Sequence, residues 1–364
     1  MKKIILAIAA LALIASPALA VDWNFYGSAR MATFYTSRDY GDNLNPSGTD
    51  NEDADVQWAL QGNSRIGARV KAENVAGHFE FGVSSTDTGG GDVSSRRLYG
   101  TWDFGAATLK VGKDYTPIAQ FISGQVFDGD LGLLGIGTMY GARQSQLSLS
   151  FGGFEVALID PRDVLITGLT TGDVDQLLPK IEAKYGMSFD TWNFNVRGGY
   201  QYYEIEDATV GLDEDIDVTS WIIGGDAGVN FGPAYVKGAV SYGQNVGNAS
   251  WNIPGNRTSG GLATFDGTDD LDDVDTLMWA LVAGFKFHDG LTFEAGFGWR
   301  EDQPDANALD DDDAWELYGQ AVITLAPGVY VVPEVGYTDF GDGNQPNVDD
   351  GDQFYLGAKW QIDF

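Results

Sequence analysis

The chain has 364 residues, with 21 Lys and Arg against 53 Asp and Glu, and a formal net charge of −32 removes the attraction on which nucleic-acid binding depends. Cysteine is absent, so neither disulfides nor thiolate metal sites brace the fold. With 43% hydrophobic residues, 13% aromatic residues and 49 glycines, the chain is too apolar for a disordered acidic polymer and rich in the residues of strands and turns.

Lys2 and Lys3 precede an apolar run from Ile4 to Ala15, followed by Ser16, Pro17 and the small-residue site Ala18-Leu19-Ala20. This is the three-part layout of a secretory signal peptide, and the run is shorter than the roughly 20 apolar residues of a spanning helix. Residues 1–20 are therefore expected to be removed, leaving residues 21–364 as one domain. Without Lys2 and Lys3, 19 basic residues face 53 acidic ones, a net charge of −34.

From Asp22 onward short alternating segments recur, and no helical period interrupts them. Tight connections are expected at "ENVAG" (73–77), "DFGAA" (103–107), "SFGGF" (150–154), "SFDTW" (188–192), "NFGPA" (230–234), "FHDGL" (287–291) and "LAPGV" (325–329). Long ones fall near 37–55, 87–93, 115–138, 161–177, 205–216, 245–274, 301–313 and 339–352. Seven turns and eight loops in strict alternation divide the chain into sixteen strands. The fold class is thus all-β: a transmembrane antiparallel β-barrel of about 16 strands, closed so that no backbone group is left unpaired in lipid.

The final stretch "QFYLGAKWQIDF" alternates Phe354, Leu356, Ala358, Trp360 and Ile362 with Tyr355, Gly357, Lys359, Gln361 and Asp363. Ending on Phe364, it needs a neighbour to cover its edge, and it is expected to pair with the first strand near "DWNFYGSARMATFY". Trp23, Phe25, Trp102, Phe104, Phe189, Trp192, Phe231, Phe287 and Phe364 all fall beside the short turns, as an interfacial aromatic girdle requires. Pro333 lacks a ladder donor and predicts a bulge. The acidic stretches "DGTDDLDDVD" (266–275) and "EDQPDANALDDDDAWE" (301–316) read as solvated loop surface, since neither has the glycine and terminal glutamate of an EF-hand loop. No metal or cofactor is expected.

Alternation also sorts the cations. Arg30 shares a face with Asn24, Tyr26 and Ser28; Arg65 and Arg69 share one opposite Ile66, Ala68 and Val70. Arg97 alternates with Leu98 and Trp102, with Arg96 as the substitute if that strand slips, and Arg197 alternates with Phe194 and Val196. A lipid-facing arginine at mid-membrane costs about 2 to 4 kcal/mol, so these five are expected to line the interior. The segment from Tyr115 to Thr138 contains Ile118, Phe121, Ile122, Val126, Phe127, Leu131, Leu133, Leu134 and Ile136. It is too apolar for a solvated loop, and folded into the barrel it would narrow the bore.

In order, "FYGSARMATFY", "NSRIGARV", "TLKVGKDY", "GARQSQLSLSF" and "FYLGAKWQIDF" resemble strands of the trimeric general porins of Gram-negative outer membranes. That resemblance implies a homotrimer in outer-membrane lipid and lipopolysaccharide, passing small hydrophilic solutes and ions through a water-filled channel. It implies an inward-folded third loop, a basic ladder carried over to Arg65, Lys113 and Arg143, and opposing loop acids at Asp128 and Asp130. It also implies that Tyr355, Trp360 and Phe364 form the signal read by the outer-membrane insertion machinery. An anion- or dicarboxylate-selective porin is the alternative within channels, and a structural or adhesive barrel the alternative outside them. An enzyme is not expected, because His78 and His288, the only histidines, both lie beside short turns.

Overall fold

The computed structural model describes residues 21–41, 52–83, 93–161, 173–206, 215–251, 260–265, 271–305, 310–341 and 349–364. The signal-peptide expectation and parts of the long loops, including part of each acidic stretch, lie outside these residues.

The strands are β1 (Asp22–Asp39), β2 (Glu52–Leu60, continued by Arg65–Ala72), β3 (Val75–Val83), β4 (Val93–Asp103), β5 (Thr108–Tyr115), β6 (Arg143–Phe151), β7 (Phe154–Ile159) and β8 (Asp173–Asp175, continued by Lys180–Ser188). They go on as β9 (Trp192–Glu206), β10 (Ile216–Phe231), β11 (Ala234–Gln244), β12 (Val274–His288), β13 (Leu291–Pro304), β14 (Asp312–Ala326), β15 (Val329–Asp339) and β16 (Asp352–Asp363). Each pairs antiparallel with its neighbour in sequence, and all seven tight turns fall where the sequence puts them.

Closure comes from β16 on β1, in register from Ser28 opposite Asp363 to Asp39 opposite Asp352. Beyond it, the Phe364 N–H donates to the Gly27 carbonyl at 3.0 Å and the Gly27 N–H to the Phe364 carbonyl at 2.6 Å. A Cβ on Gly27 would lie 2.4 Å from the Phe364 ring, so a glycine here lets the terminal aromatic seat. The edge that a free last strand would expose does not exist.

The outer surface is apolar. Phe25, Trp102, Phe231, Phe287 and Phe364 are among the exposed aromatics at the short-turn end, and Phe189 stacks on Trp192 at 4.2 Å. A second aromatic group toward the long-loop end includes Trp279, Trp299, Trp315 and Tyr337.

Three features of the ladders bear on what alternation led one to expect. Between Leu60 and Arg65 the pairing with β1 shifts by two residues, and this insertion carries Gln61 and Asn63. In β4 a shift opposite Glu80 and Phe81 inserts one residue, so Arg96 and Arg97 both turn inward. Sequence alternation allows only one of them. The third corrects an expectation: Pro333 sits in an unshifted ladder with β16, and the shift in this hairpin falls instead between Thr324 and Ala326. Pro333 is outward-facing and exposed, and the β14–β15 ladder leaves the positions around it unpaired while the register continues.

Candidate functional site

Residues 116–142, between β5 and β6, fold into the barrel. A chain inside a lumen has no ladder to satisfy its backbone, so the wall must supply acceptors. Inward-facing carboxylates hold both its backbone and its side chains. Glu294 on β13 accepts the Gly124 N–H at 2.7 Å, and Glu334 on β15 accepts those of Val126 and Phe127 at 2.7 and 3.0 Å. Glu316 on β14 accepts the Gln125 side-chain amide. Opposite them, the β2 insertion donates from Gln61 to the Val126 carbonyl and from Asn63 to the Gly129 carbonyl. A signal for the three glutamates existed: each is the interior-register residue of an alternating strand, in "TFEAG", "AWELY" and "VPEVG".

Apolar packing holds the same loop. Ile122, Val126, Phe127 and Leu133 form one buried cluster with Phe34, Val282, Tyr318, Val332 and Tyr355 of the wall. Phe127 stacks on Tyr355 with centroids 3.8 Å apart and planes 7° apart, and meets Phe34 edge-on at 5.2 Å. Tyr355 is fully buried beneath the loop, whereas Trp360 and Phe364 are exposed on the outer face.

The loop tip turns through Asp128, Gly129 and Asp130, all at positive φ (45°, 73° and 64°). Aspartate tolerates that region better than most side chains. Asp130 pairs with Arg30 of β1 and with Lys359 of β16 at 2.9 Å, and accepts from Asn63 at 2.8 Å. Asp128 is exposed to the lumen, and its enclosed surroundings hold its carboxyl above the ordinary aspartate value. The acid that meets the wall is therefore Asp130, and its partners are Arg30 and Lys359 rather than Arg65, Lys113 and Arg143.

A second loop enters as well, which sequence reasoning missed. Val246, Ala249 and Trp251, after β11, are fully buried with Ile118 and Met139 of the first loop and Ile222 and Met278 of the wall. The Trp251 indole donates to Glu182 of β8 at 2.9 Å, and the same carboxylate accepts the Ile118 N–H at 3.0 Å. The Tyr140 N–H donates to the Trp251 carbonyl at 3.1 Å. Space for the indole comes from Gly199 of β9, where a Cβ would lie 2.5 Å from the ring. Trp251 thus ties the two inserted loops to one carboxylate.

Across the lumen, from β2 to β10, charged side chains form a zigzag. Arg65 and Arg96 flank Glu80 at 3.6 and 2.8 Å. Arg97 and Lys110 meet Asp114 at 2.7 and 3.1 Å, and Lys110 and Lys184 meet Glu155 at 3.1 and 3.0 Å. Arg197 meets Asp226 at 2.8 Å, and Arg69 lies over the Tyr26 ring at 5.3 Å. In this set seven cations face four carboxylates, an excess of three positive charges. Two residues carried over by resemblance stand apart. Lys113 shares a register with Leu98 and Ser145, and its ammonium donates to the Ser95 carbonyl at 2.9 Å. Arg143 lies over the Tyr115 ring at 5.1 Å and donates to its hydroxyl at 2.9 Å.

Residues 7–343 match the family model for Gram-negative porin. The structure is similar to the outer membrane channel DcaP of Acinetobacter baumannii, at 16% identity and a TM-score of 0.72 over 96% of this chain and 99% of that one. It is similar to the anion-selective porin from Comamonas acidovorans, at 15% identity and a TM-score of 0.60 over 94% of this chain and 100% of that one. It is also similar to the trimer form of OmpT of Vibrio cholerae, at 16% identity and a TM-score of 0.57 over 94% of this chain and 99% of that one. No curated protein sequence matches the chain. A closed sixteen-stranded barrel with an apolar exterior, a charged lumen and an inserted loop, matched by this family over most of its length, belongs to the Gram-negative porins and is an outer-membrane channel for the passive diffusion of solutes.

Proposed function

We propose that this porin is a homotrimeric channel without enzymatic activity, exported by its signal peptide, that favours small hydrophilic anions over cations at its narrowest point. The observation that carries the reading is the charge balance of the zigzag wall, which stands across the lumen from the three glutamates that hold the loop. On the zigzag wall the cations outnumber the acids by three, while the loop acid that would oppose them, Asp130, is already paired with Arg30 and Lys359. Only Asp128 of the two tip acids is left facing the lumen. Fixed charges in a narrow aqueous gap are partly unscreened, because the Debye length is about 8 Å at physiological salt, and a ring of cations biases a pore toward anions.

Arg30, Arg65, Arg69, Arg97 and Arg197 are the basic residues assigned to this lining, with Lys113 and Arg143 outside the zigzag. Phe364 and Trp360, exposed at the short-turn end, are assigned to recognition by the insertion machinery. The reversal potential of a single channel in a tenfold potassium chloride gradient tests the selectivity. A sign corresponding to chloride preference is expected, and a potential of the opposite sign refutes it.

A further inference from the structure

On the short-turn side of the inserted loop, the lumen opens into a recess of about 450 Å³ between β5 and β11. That volume is in the range of small-molecule pockets, about 300 to 1,000 Å³. Its placement follows from its lining: Lys110, Glu155 and Lys184 lie near the turn ends of their strands, and Phe121 and Ile122 of the loop form its roof.

The recess combines unspent donors with an apolar seat. An ammonium group carries three hydrogens. Lys184 donates to one oxygen of Glu155 at 3.0 Å, and Lys237 donates to the Ile122 carbonyl at 3.0 Å. Lys237 meets no carboxylate within ion-pair distance among the described residues, so its charge is held in place by a neutral carbonyl and is not cancelled. Arg197, by contrast, is committed to Asp226 and to the Pro117 carbonyl. The acceptors are also committed: Glu155 already receives Lys110, Lys184 and Ser148. What remains for a solute is donor capacity and positive charge. Beside it stands the Phe121 ring, 54% exposed, an apolar surface facing water inside a channel.

Resting on the channel reading above, we propose that this recess is a solute-binding subsite for small organic monoanions, with the anionic group at Lys237 and Lys184 and the apolar body against Phe121. An inorganic anion would use only the lysines. An organic carboxylate uses both halves, and a ring laid on Phe121 adds its buried apolar area to the charge contact.

The test uses the full-length barrel folded in detergent, with fluorine NMR line broadening of para-fluorobenzoate compared with trifluoroacetate, alongside chloride conductance of the same preparation in a planar bilayer. The parent is expected to bind para-fluorobenzoate about tenfold more tightly than trifluoroacetate, the ratio that roughly 50 Å² of covered ring surface supplies. Phe121→Ala should abolish that ratio, and Lys237→Met should weaken both anions. Lys237→Arg, which keeps the charge and the donor to Ile122, should retain binding and so separates lost charge from a displaced loop. Equal binding of the two anions by the parent, or parent-like binding by Lys237→Met, overturns the proposal. A barrel that conducts without binding para-fluorobenzoate overturns the subsite alone, whereas one that binds it without conducting supports the subsite and overturns the channel reading.

Discussion

Replacing Phe127 by alanine should release the inserted loop from the wall while leaving the barrel folded. The ring is 9% exposed, stacked on Tyr355 and edge-on to Phe34. Removing a buried phenylalanine costs about 3 to 5 kcal/mol, and even 3 kcal/mol raises the undocked fraction of the loop by roughly a hundredfold, since each 1.4 kcal/mol is tenfold. The hydrogen bonds from Val126 and Phe127 to Glu334 survive the substitution, because they run through the backbone. The loop should therefore undock intermittently. In planar bilayers the variant should show larger and noisier single-channel conductance than the parent, with Phe127→Leu in between. Closure of the barrel depends on the β1–β16 ladder, which Phe127 does not enter, so the mobility difference between unboiled and boiled samples on gels should persist. Parent-like conductance and noise from a folded Phe127→Ala barrel would refute the reasoning. A barrel that melts far below the parent would do so differently, by showing that the ring holds the wall together.

Three more outcomes are expected. Asp130→Asn removes the one charge shared by Arg30 and Lys359 and should move the reversal potential further toward anions; at about 5 Å in water-like dielectric a unit charge is worth roughly 0.8 kcal/mol, or about fourfold in local anion concentration. Because Asp128 is held above its ordinary value, it takes up a proton earlier than a free aspartate as pH falls, so anion preference should rise on mild acidification and this part of the pH dependence should disappear in Asp128→Asn. Deleting Phe364 or replacing Gly27 by valine should each reduce the yield of folded barrel, measured as the heat-modifiable band, because the terminal ring sits on the bare Gly27 backbone.

Period-two alternation, with no long-range knowledge, placed sixteen strands, seven turns, the closing pair β1–β16 and the inward arginines at 30, 65, 69, 97 and 197, because pleating sends successive side chains to opposite faces wherever a strand forms. The apolar composition of the segment from Tyr115 to Thr138 was enough to send it inside. What alternation could not supply is where two non-adjacent segments meet. Val126 finds Glu334 across 208 positions and Gln125 finds Tyr355 across 230, and Asp130 selects Arg30 and Lys359 over the ladder expected from resemblance. The Trp251 strut likewise depends on an absent side chain at Gly199, which no local pattern marks. One-residue events escaped for a related reason: the shift that turns both Arg96 and Arg97 inward, and the unshifted ladder at Pro333, are settled by the pairing of neighbouring strands. The sequence by itself determined a closed barrel with a charged bore and one loop too apolar to stay outside. Only the tertiary structure decided which charges cancel there, since pairing depends on distances across the lumen, whereas alternation depends only on neighbours along the chain.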